Sequence, residues 1–378
     1  MNPLAVRLAV TIVLIAGMWE AVRKAEADRL LHSSSMDGFE AARRLDPLDI
    51  RPLLALAESA PSDKERVAAL EQAARLSPFD DLVQQRLGLA EEMAGRFPEA
   101  EAHLLRTADM SRKYEPRWAL ANFYFRRGRR EEFWRWARES LAIAWGDPRP
   151  VFDLCWRLEP SAAGLERAIP ERRGIRLAMA DYLLAHGDAV GAARVAVPLA
   201  SGVEAREQPA MASLAGGLLA RYDIASAHVL WSALKDPKLR EASDFWWHGP
   251  LAKRGLDGWR IELDGRQPEQ CLLVSRAVKT VTSTRYRLRW DLESRLGSPS
   301  GPLRTSGTRW RVARWSAQRE LLAESEELAV DGRGGGTLEF TAPPGGGVEV
   351  ALQYRRPLGS MRAEGSVLVV SADVEPVE

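Results

Sequence analysis

Glu262 and Asp264, two residues apart, are the nearest approach to a catalytic pair in this chain. On a strand they would share one face, where paired carboxylates could act as acid and base for glycoside cleavage. Charged side chains are mostly solvated, so an ordinary surface pair is the commoner meaning of that spacing. The five histidines, His32, His103, His186, His228 and His248, are dispersed along the chain. No HExxH, GxSxG or glycine-rich phosphate loop ending in Lys-Ser/Thr occurs. "DGRGGG" at 331–336 lies between β-type segments and reads as a hairpin or loop. Cys155 and Cys271 have no CxxC or CxxH spacing, so two buried free thiols are expected rather than zinc ligands. The expectation is a chain with no catalytic residue, no cofactor and no metal.

Binding chemistry is written more plainly. In "STRYRLRWDLES" (283–294), Tyr286, Leu288, Trp290 and Leu292 alternate with Arg287, Arg289 and Asp291, giving one buried and one wet face. "TRWRVARWS" adds Arg309, Arg311 and Trp315, and "VEVALQYRR" adds Glu349, Gln353 and Arg355. If these strands are neighbours, one outer face carries guanidinium, amide, carboxylate and indole groups together. Planar guanidinium and amide groups bond paired hydroxyls, and an aromatic face stacks on the C–H surface of a pyranose, so that mixture suits a glycan. An ordinary solvated face with cross-strand charge pairs is the alternative. In the helical part, Trp118, Asn122 and Phe125 are candidates for a partner-binding surface. The wider cluster of Trp118, Phe123, Phe125, Trp134 and Trp136 also fits an inter-helix core, since most of it falls at helical spacing.

The elements that must position these residues follow from periodicity. The 378 residues carry a net charge of +1, which argues against nucleic-acid binding through bulk positive potential. Residues 1–30 contain an apolar run from Leu8 to Trp19, behind Arg7 and before Glu20, Arg23 and Lys24. Extended from Pro3 to Val22, the run approaches the length of a membrane-spanning helix, and an uncleaved signal anchor is preferred to a signal peptide cut near Ala25 to Ala27. Residues 36–245 read as repeated helix, turn, helix. Gly95 and Ala100, Gly128 and Phe133, Gly187 and Ala192, and Tyr222 and Ala227 recur five apart at the turns. Seven residues before each turn come Gly88, Ala121, Ala180 and Ala215, small enough for two helices to approach closely. "LDP", "LSP", "YEP" and "GDP" (45–47, 76–78, 114–116 and 146–148) punctuate helix ends at roughly the 34-residue period of a known repeat class. From 246 to 378 the period changes to two, with about eight short strands between glycine- and proline-rich turns, which predicts an antiparallel sandwich of jelly-roll form. Expected strands are Trp259 to Leu263, Cys271 to Arg276, Arg285 to Glu293, Arg309 to Ser316, a short one near Leu321, Gly336 to Thr341, Val348 to Arg355 and Ser366 to Val374.

"RLGLAEEMAGRFPEAEAHLLRTA" and "RWALANFYFRRGRREEFWRWARESLAIA" resemble the tetratricopeptide-repeat superfamily, with Asn122 and Phe133 departing from its usual small residues. That resemblance implies a scaffold holding a peptide or protein partner in a concave groove. A second resemblance rests on "WRI" (259–261), "LDG" (263–265), "YRLRW" (286–290), "APP" (342–344) and "LQYRR" (352–356). They resemble the C-terminal module of membrane-anchored repeat proteins from bacterial exopolysaccharide gene clusters, itself similar to jelly-roll carbohydrate-binding domains. It implies an inner-membrane scaffold, single-pass, with most of the chain periplasmic or exported, serving polysaccharide assembly or export. The acidic calcium loop of some such modules is not evident; Asp257 and the acids Glu262 and Asp264 come nearest. A glycan hydrolase or lyase using Glu262 or Asp264, and a purely structural β cap on the repeats, stay open as alternatives.

Overall fold

The computed structural model describes residues 3–242, 246–298 and 303–377. The expected junction at 245/246 and the tip of the "LGSPSGP" loop touch residues outside that set. Among the described residues fifteen α-helices precede ten strands, and the chain divides after Arg172 into two compact units.

The first unit holds α1 (Pro3–Leu31), α2 (Met36–Leu45), α3 (Arg51–Ser59), α4 (Asp63–Leu76), α5 (Asp81–Met93), α6 (Phe97–Met110), α7 (Tyr114–Arg126), α8 (Arg130–Ile143), α9 (Arg149–Leu158) and α10 (Ala162–Ala168). Four helix starts carry side-chain caps: Ser35, Ser62, Asp80 and Ser161 each accept a backbone N–H from the first turn that follows. α5/α6 and α7/α8 are antiparallel hairpins. Gly95 and Gly128 take φ of 78° and 68°, and the next N–H reaches back to Glu91 O at 2.8 Å and Tyr124 O at 3.0 Å. Gly88 is where α6 crosses α5, since a Cβ there would stand 2.9 Å from Leu104 Cγ. Phe123, Phe133, Trp134 and Trp136 are all buried, so most of the aromatic cluster is inter-helix core. "YEP" opens α7 rather than closing α6, because a proline in the first turn lacks only an N–H that has no helical partner anyway.

The expected membrane-spanning helix is corrected in one respect. Among the described residues no helix is long and apolar enough to cross a membrane. Arg7 closes the apolar run on one side, and on the other Glu20 pairs with Arg23 at 2.7 Å. The second half of α1 belongs to the repeats instead. Ala27 is buried, Leu31 packs beside Phe39 and Leu53, and Arg51 reaches Asp28 at 2.9 Å.

The second unit joins α11 (Arg173–Ala185), α12 (Ala189–Ala196), α13 (Gln208–Ala220), α14 (Ile224–Ser232) and α15 (Pro237–Ala242) to all ten strands. These are β1 (Trp246–His248), β2 (Ala252–Gly255), β3 (Gly258–Asp264), β4 (Gln270–Lys279), β5 (Arg285–Gly297), β6 (Thr308–Arg314), β7 (Leu321–Glu324), β8 (Asp331–Thr341), β9 (Gly347–Arg355) and β10 (Glu364–Pro376). A front sheet runs β1-β4-β9-β6-β7 and a back sheet β2-β3-β10-β5-β8, with every pair antiparallel. Their inner faces meet in one core containing Ile261, Leu288, Trp310, Val348, Leu352 and Tyr354.

Two expectations about the strands change. "DGRGGG" is not a loop: residues 331–336 are the first half of β8, paired with β5 from Arg295↔Asp331 to Trp290↔Gly336. Glycine is required there because a Cβ on Gly336 would lie 2.4 Å from Trp290 Cζ2, so the indole rests on a bare strand. And β5 does not neighbour β6 or β9. It lies between β10 and β8 in the back sheet, whereas β6 and β9 pair in the front sheet.

Candidate functional site, a polar trough with an aromatic rim

The candidate glycan contacts therefore fall on opposite sides of the sandwich. On the back sheet Arg287 bonds Glu339 at 2.6 Å and Asp291 bonds Arg333 at 2.5 Å, both across the β5/β8 ladder. Those bonds hold the Asp291 and Glu339 carboxyls below the usual carboxylate range. Arg289 stands exposed between them, opposite Thr337 and Asp373. This face has the character of a solvated, charge-paired sheet. Glu262 and Asp264 are exposed on β3 of the same sheet, and Asp264 accepts the Arg266 N–H at 2.9 Å. Asp257, the other acidic candidate, is paired with Arg260 at 3.2 Å.

The front sheet is different. Val348, Val350, Leu352 and Tyr354 of β9 enter the core, so Glu349, Ala351, Gln353 and Arg355 point outward. Cross-strand register sets them in rows. Trp247, Ser275, Ala351, Arg311 and Glu324 make one row; Ala277, Glu349 and Ala313 the next; Leu272, Gln353 and Arg309 lie on the other side. Small residues in the middle of the rows leave a trough about 210 Å³ in volume, lined by Gln270, Arg311, Ala351 and Gln353 among others. Gln353 and Glu349 are only 4% and 5% exposed, although outward residues of a free sheet would be wet. Arg311 Nη1 donates to Gln353 Oε1 at 3.1 Å, and Arg319 Nη1 stands 3.3 Å from Glu349 Oε1. Arg309 spends its charge on Glu324 at 3.1 Å, and Arg355 is exposed at the end of β9.

The trough opens into a larger cleft of about 570 Å³ under the α13–α14 turn, with Leu272, Arg319 and Glu349 common to both. Trp315 is fixed where helix meets sheet: its Nε1–H donates to Leu219 O at 3.2 Å. Trp247 stacks on Trp315 with centroids 5.3 Å apart and planes 18° apart, and Tyr222 meets Trp315 edge-on at 5.8 Å. His248 turns to the other face of β1, its ring 5.1 Å from Trp259. Of the residues singled out from sequence, Arg309, Arg311, Trp315, Glu349 and Gln353 are brought together here. Tyr222, Trp247, Arg319 and Ser275 were missed as site residues. For Tyr222 the sequence did hold a signal, because it occupies a turn position where three other hairpins have glycine.

In the first unit, Trp118, Asn122 and Phe125 share one face of α7 and are half-buried. Trp118 stacks on Tyr114 at 6.2 Å, Phe125 packs on Phe133 at 5.7 Å, and the Asn122 amide donates to Trp118 O at 2.9 Å. Shallow grooves of about 270 and 230 Å³ lie elsewhere in the unit, the first beside Glu40, Arg43 and Leu53, the second beside Arg66, Arg86 and Met93.

No protein-family profile matches the chain, and no curated protein does. Solved structures are similar over part of it. One is MamA, 14% identical with a TM-score of 0.32, over 40% of this chain and 91% of that one. Another is PilW, described as a widely conserved type IV pilus biogenesis factor, at 15% and 0.32 over 48% and 93%. A third is YrrB, described as a TPR protein with an unusual peptide-binding site, at 10% and 0.27 over 55% and 98%. Likeness at that level carries no argument about what this chain does. Its tetratricopeptide-like character rests on the helix pairs, whose turns repeat one pattern of bonds and one set of buried small residues.

Proposed function

We propose that the protein is a non-enzymatic scaffold whose helical repeats hold a protein partner and whose β-sandwich, a jelly roll, binds a polysaccharide. The alternation of successive strands between the two sheets, from β3 to β6, supports the jelly-roll reading. Attachment to a membrane through α1, and a place in the assembly or export of an envelope polysaccharide, rest on the apolar run and on the sequence resemblance. The observation that carries the saccharide reading is the buried pair Glu349 and Gln353, the latter bonded to half-buried Arg311, on an outward face beside open aromatic rings. Such groups, desolvated and pre-bonded, exchange hydrogen bonds with hydroxyls at little ordering cost.

The test is native electrophoresis of the full chain through gels containing dextran, mixed-linkage β-glucan, galactomannan or alginate. At least one polymer should retard the protein, and Arg311→Ala and Gln353→Ala should weaken that retardation while Arg287→Ala on the back sheet leaves it unchanged. A protein retarded by none of the four sinks the saccharide reading.

A further inference from the structure

Four helical hairpins turn in the same way. In each, the residue after the turn donates its N–H five positions back: Arg96 to Glu91, Arg129 to Tyr124, Asp188 to Leu183 and Asp223 to Leu218. The residue before that donor has left-handed φ: 78° at Gly95, 68° at Gly128, 87° at Gly187 and 67° at Tyr222. Glycine takes that conformation freely, whereas a bulky side chain meets its own carbonyl. Tyr222 therefore holds strain that the other three turns avoid. Packing does not explain it, because the residue is 43% exposed. Its ring projects over the cleft and meets Trp315 edge-on at 5.8 Å. Strained backbone conformations cluster at active sites, ligand clamps and switch regions.

From this the geometry points to the α13–α14 hairpin as part of a ligand site, with Trp247 as the platform for one pyranose ring of a neutral polysaccharide and the inclined Tyr222 ring as the wall beside it. The inference rests on the saccharide reading above and moves the decisive contacts from the sheet to the helix–sheet junction. The chemistry of the cleft selects the occupant. Trp247 and Trp315 are stacked 5.3 Å apart, too close for another ring to slot between, since that needs about 7 Å, twice a ~3.5 Å contact. They cannot cage a cation or sandwich an aromatic, and what remains is the outer face of Trp247, itself 41% exposed. A flat indole accepts the axial C–H face of a sugar. Beneath it, Glu349 and Arg319 form an ion pair whose charges cancel, leaving carboxylate lone pairs and guanidinium N–H groups for hydroxyls rather than a net field for an anion. The volume of about 570 Å³ accommodates a ring with room for its neighbours in a chain, which continue along the trough toward Arg311 and Gln353.

The test uses the full chain in the same gels, with Tyr222→Gly and Trp247→Ala. Tyr222→Gly restores the residue used at the other turns, so its melting temperature stays within ~5 °C of the original protein or exceeds it. Retention by dextran, β-glucan or galactomannan falls about 3- to 10-fold in both variants, the loss of one ring contact. Equal retention in Tyr222→Gly or in Trp247→Ala overturns the inference and leaves the saccharide reading standing. A Tyr222→Gly protein that melts more than ~5 °C lower also overturns it, since the ring is then a structural prop. Retention by alginate alone overturns the neutral-sugar assignment. An original protein retained by no polymer removes both readings together.

Discussion

The indole N–H of Trp315, just past the end of β6, donates to the backbone carbonyl of Leu219 near the end of α13, at 3.2 Å. The bond ties the last helical hairpin to the front sheet, so the wall and floor of the cleft are joined directly. Gly347 makes the approach possible: a Cβ there would lie 2.9 Å from Ile224 Cγ2 and 3.1 Å from Trp315 Cβ. Ile224 is buried and β-branched, so it has little freedom to yield. Gly347→Ala should cost about 1–3 kcal/mol by overpacking. Urea denaturation checks this, and a cost below ~0.5 kcal/mol would mean the hairpin and sheet are not tightly docked.

Gly336→Ala tests the assignment of 331–336 to a strand. If Trp290 lies on a bare backbone as its 2.4 Å clearance from a hypothetical Cβ requires, the methyl must displace a rigid ring. A loss of about 1–3 kcal/mol is expected, with a changed near-ultraviolet signal from the tryptophan. Gly334→Ala, where nothing lies within reach of the added carbon, should leave that signal alone.

How much of this could be read beforehand depends on whether the controlling contact is local. The turn glycines and the small residues at Gly88, Ala121, Ala180 and Ala215 were legible, because a hairpin's geometry is settled within some thirty residues of chain. Strand existence was equally legible from the alternation of Tyr286, Leu288 and Trp290. Strand partnership was not. Arg287 and Arg311 sit on strands with the same alternation, and nothing in period two says which sheet a strand joins. The glycines of 331–336 misled for a related reason: glycine marks loops on average, and only the tertiary demand of Trp290 makes it a strand residue here. The cleft was hidden because helix and sheet residues far apart in sequence build it. Tyr222 in a glycine position was its one local trace.

The apolar half of α1 carries its own prediction. Val13 and Ile15 are 69% and 59% exposed, with Leu14, Met18 and Trp19 exposed around them. A helix that is apolar on every side and, among the described residues, left exposed by its own chain should seek a lipid surface. The full chain should co-sediment with vesicles of phosphatidylethanolamine and phosphatidylglycerol. Val13→Asp combined with Ile15→Asp should weaken this more than tenfold while leaving the thermal transition of the repeats in place. Undiminished sedimentation of the double variant would place lipid contact elsewhere.

Glu91 gives the first unit a pH dependence whose sign can be worked out. The side chain is 1% exposed on α5, 3.4 Å from Arg96 Nη2 and 3.8 Å from His103 Nε2. Burial pushes its carboxyl up to about 7, against the opposing pull of Arg96, while burial lowers His103. The unfolded chain holds this carboxyl at the ordinary value of 4.5. Between that value and about 7 the folded protein keeps a proton that the unfolded one has released, so stability contributed by Glu91 is full below 4.5 and is lost as pH rises through about 7. The loss is at most about 3 kcal/mol. His103 acts in the opposite direction: its depressed folded value makes stability grow as pH rises through the ordinary histidine range. Glu91→Gln keeps the shape and removes the titration, so the variant should lose less stability than the original protein between pH 5 and pH 8, measured by urea denaturation at each pH. Parallel curves for the two proteins across that interval would show that Glu91 is ionised in the fold, with Arg96 outweighing burial.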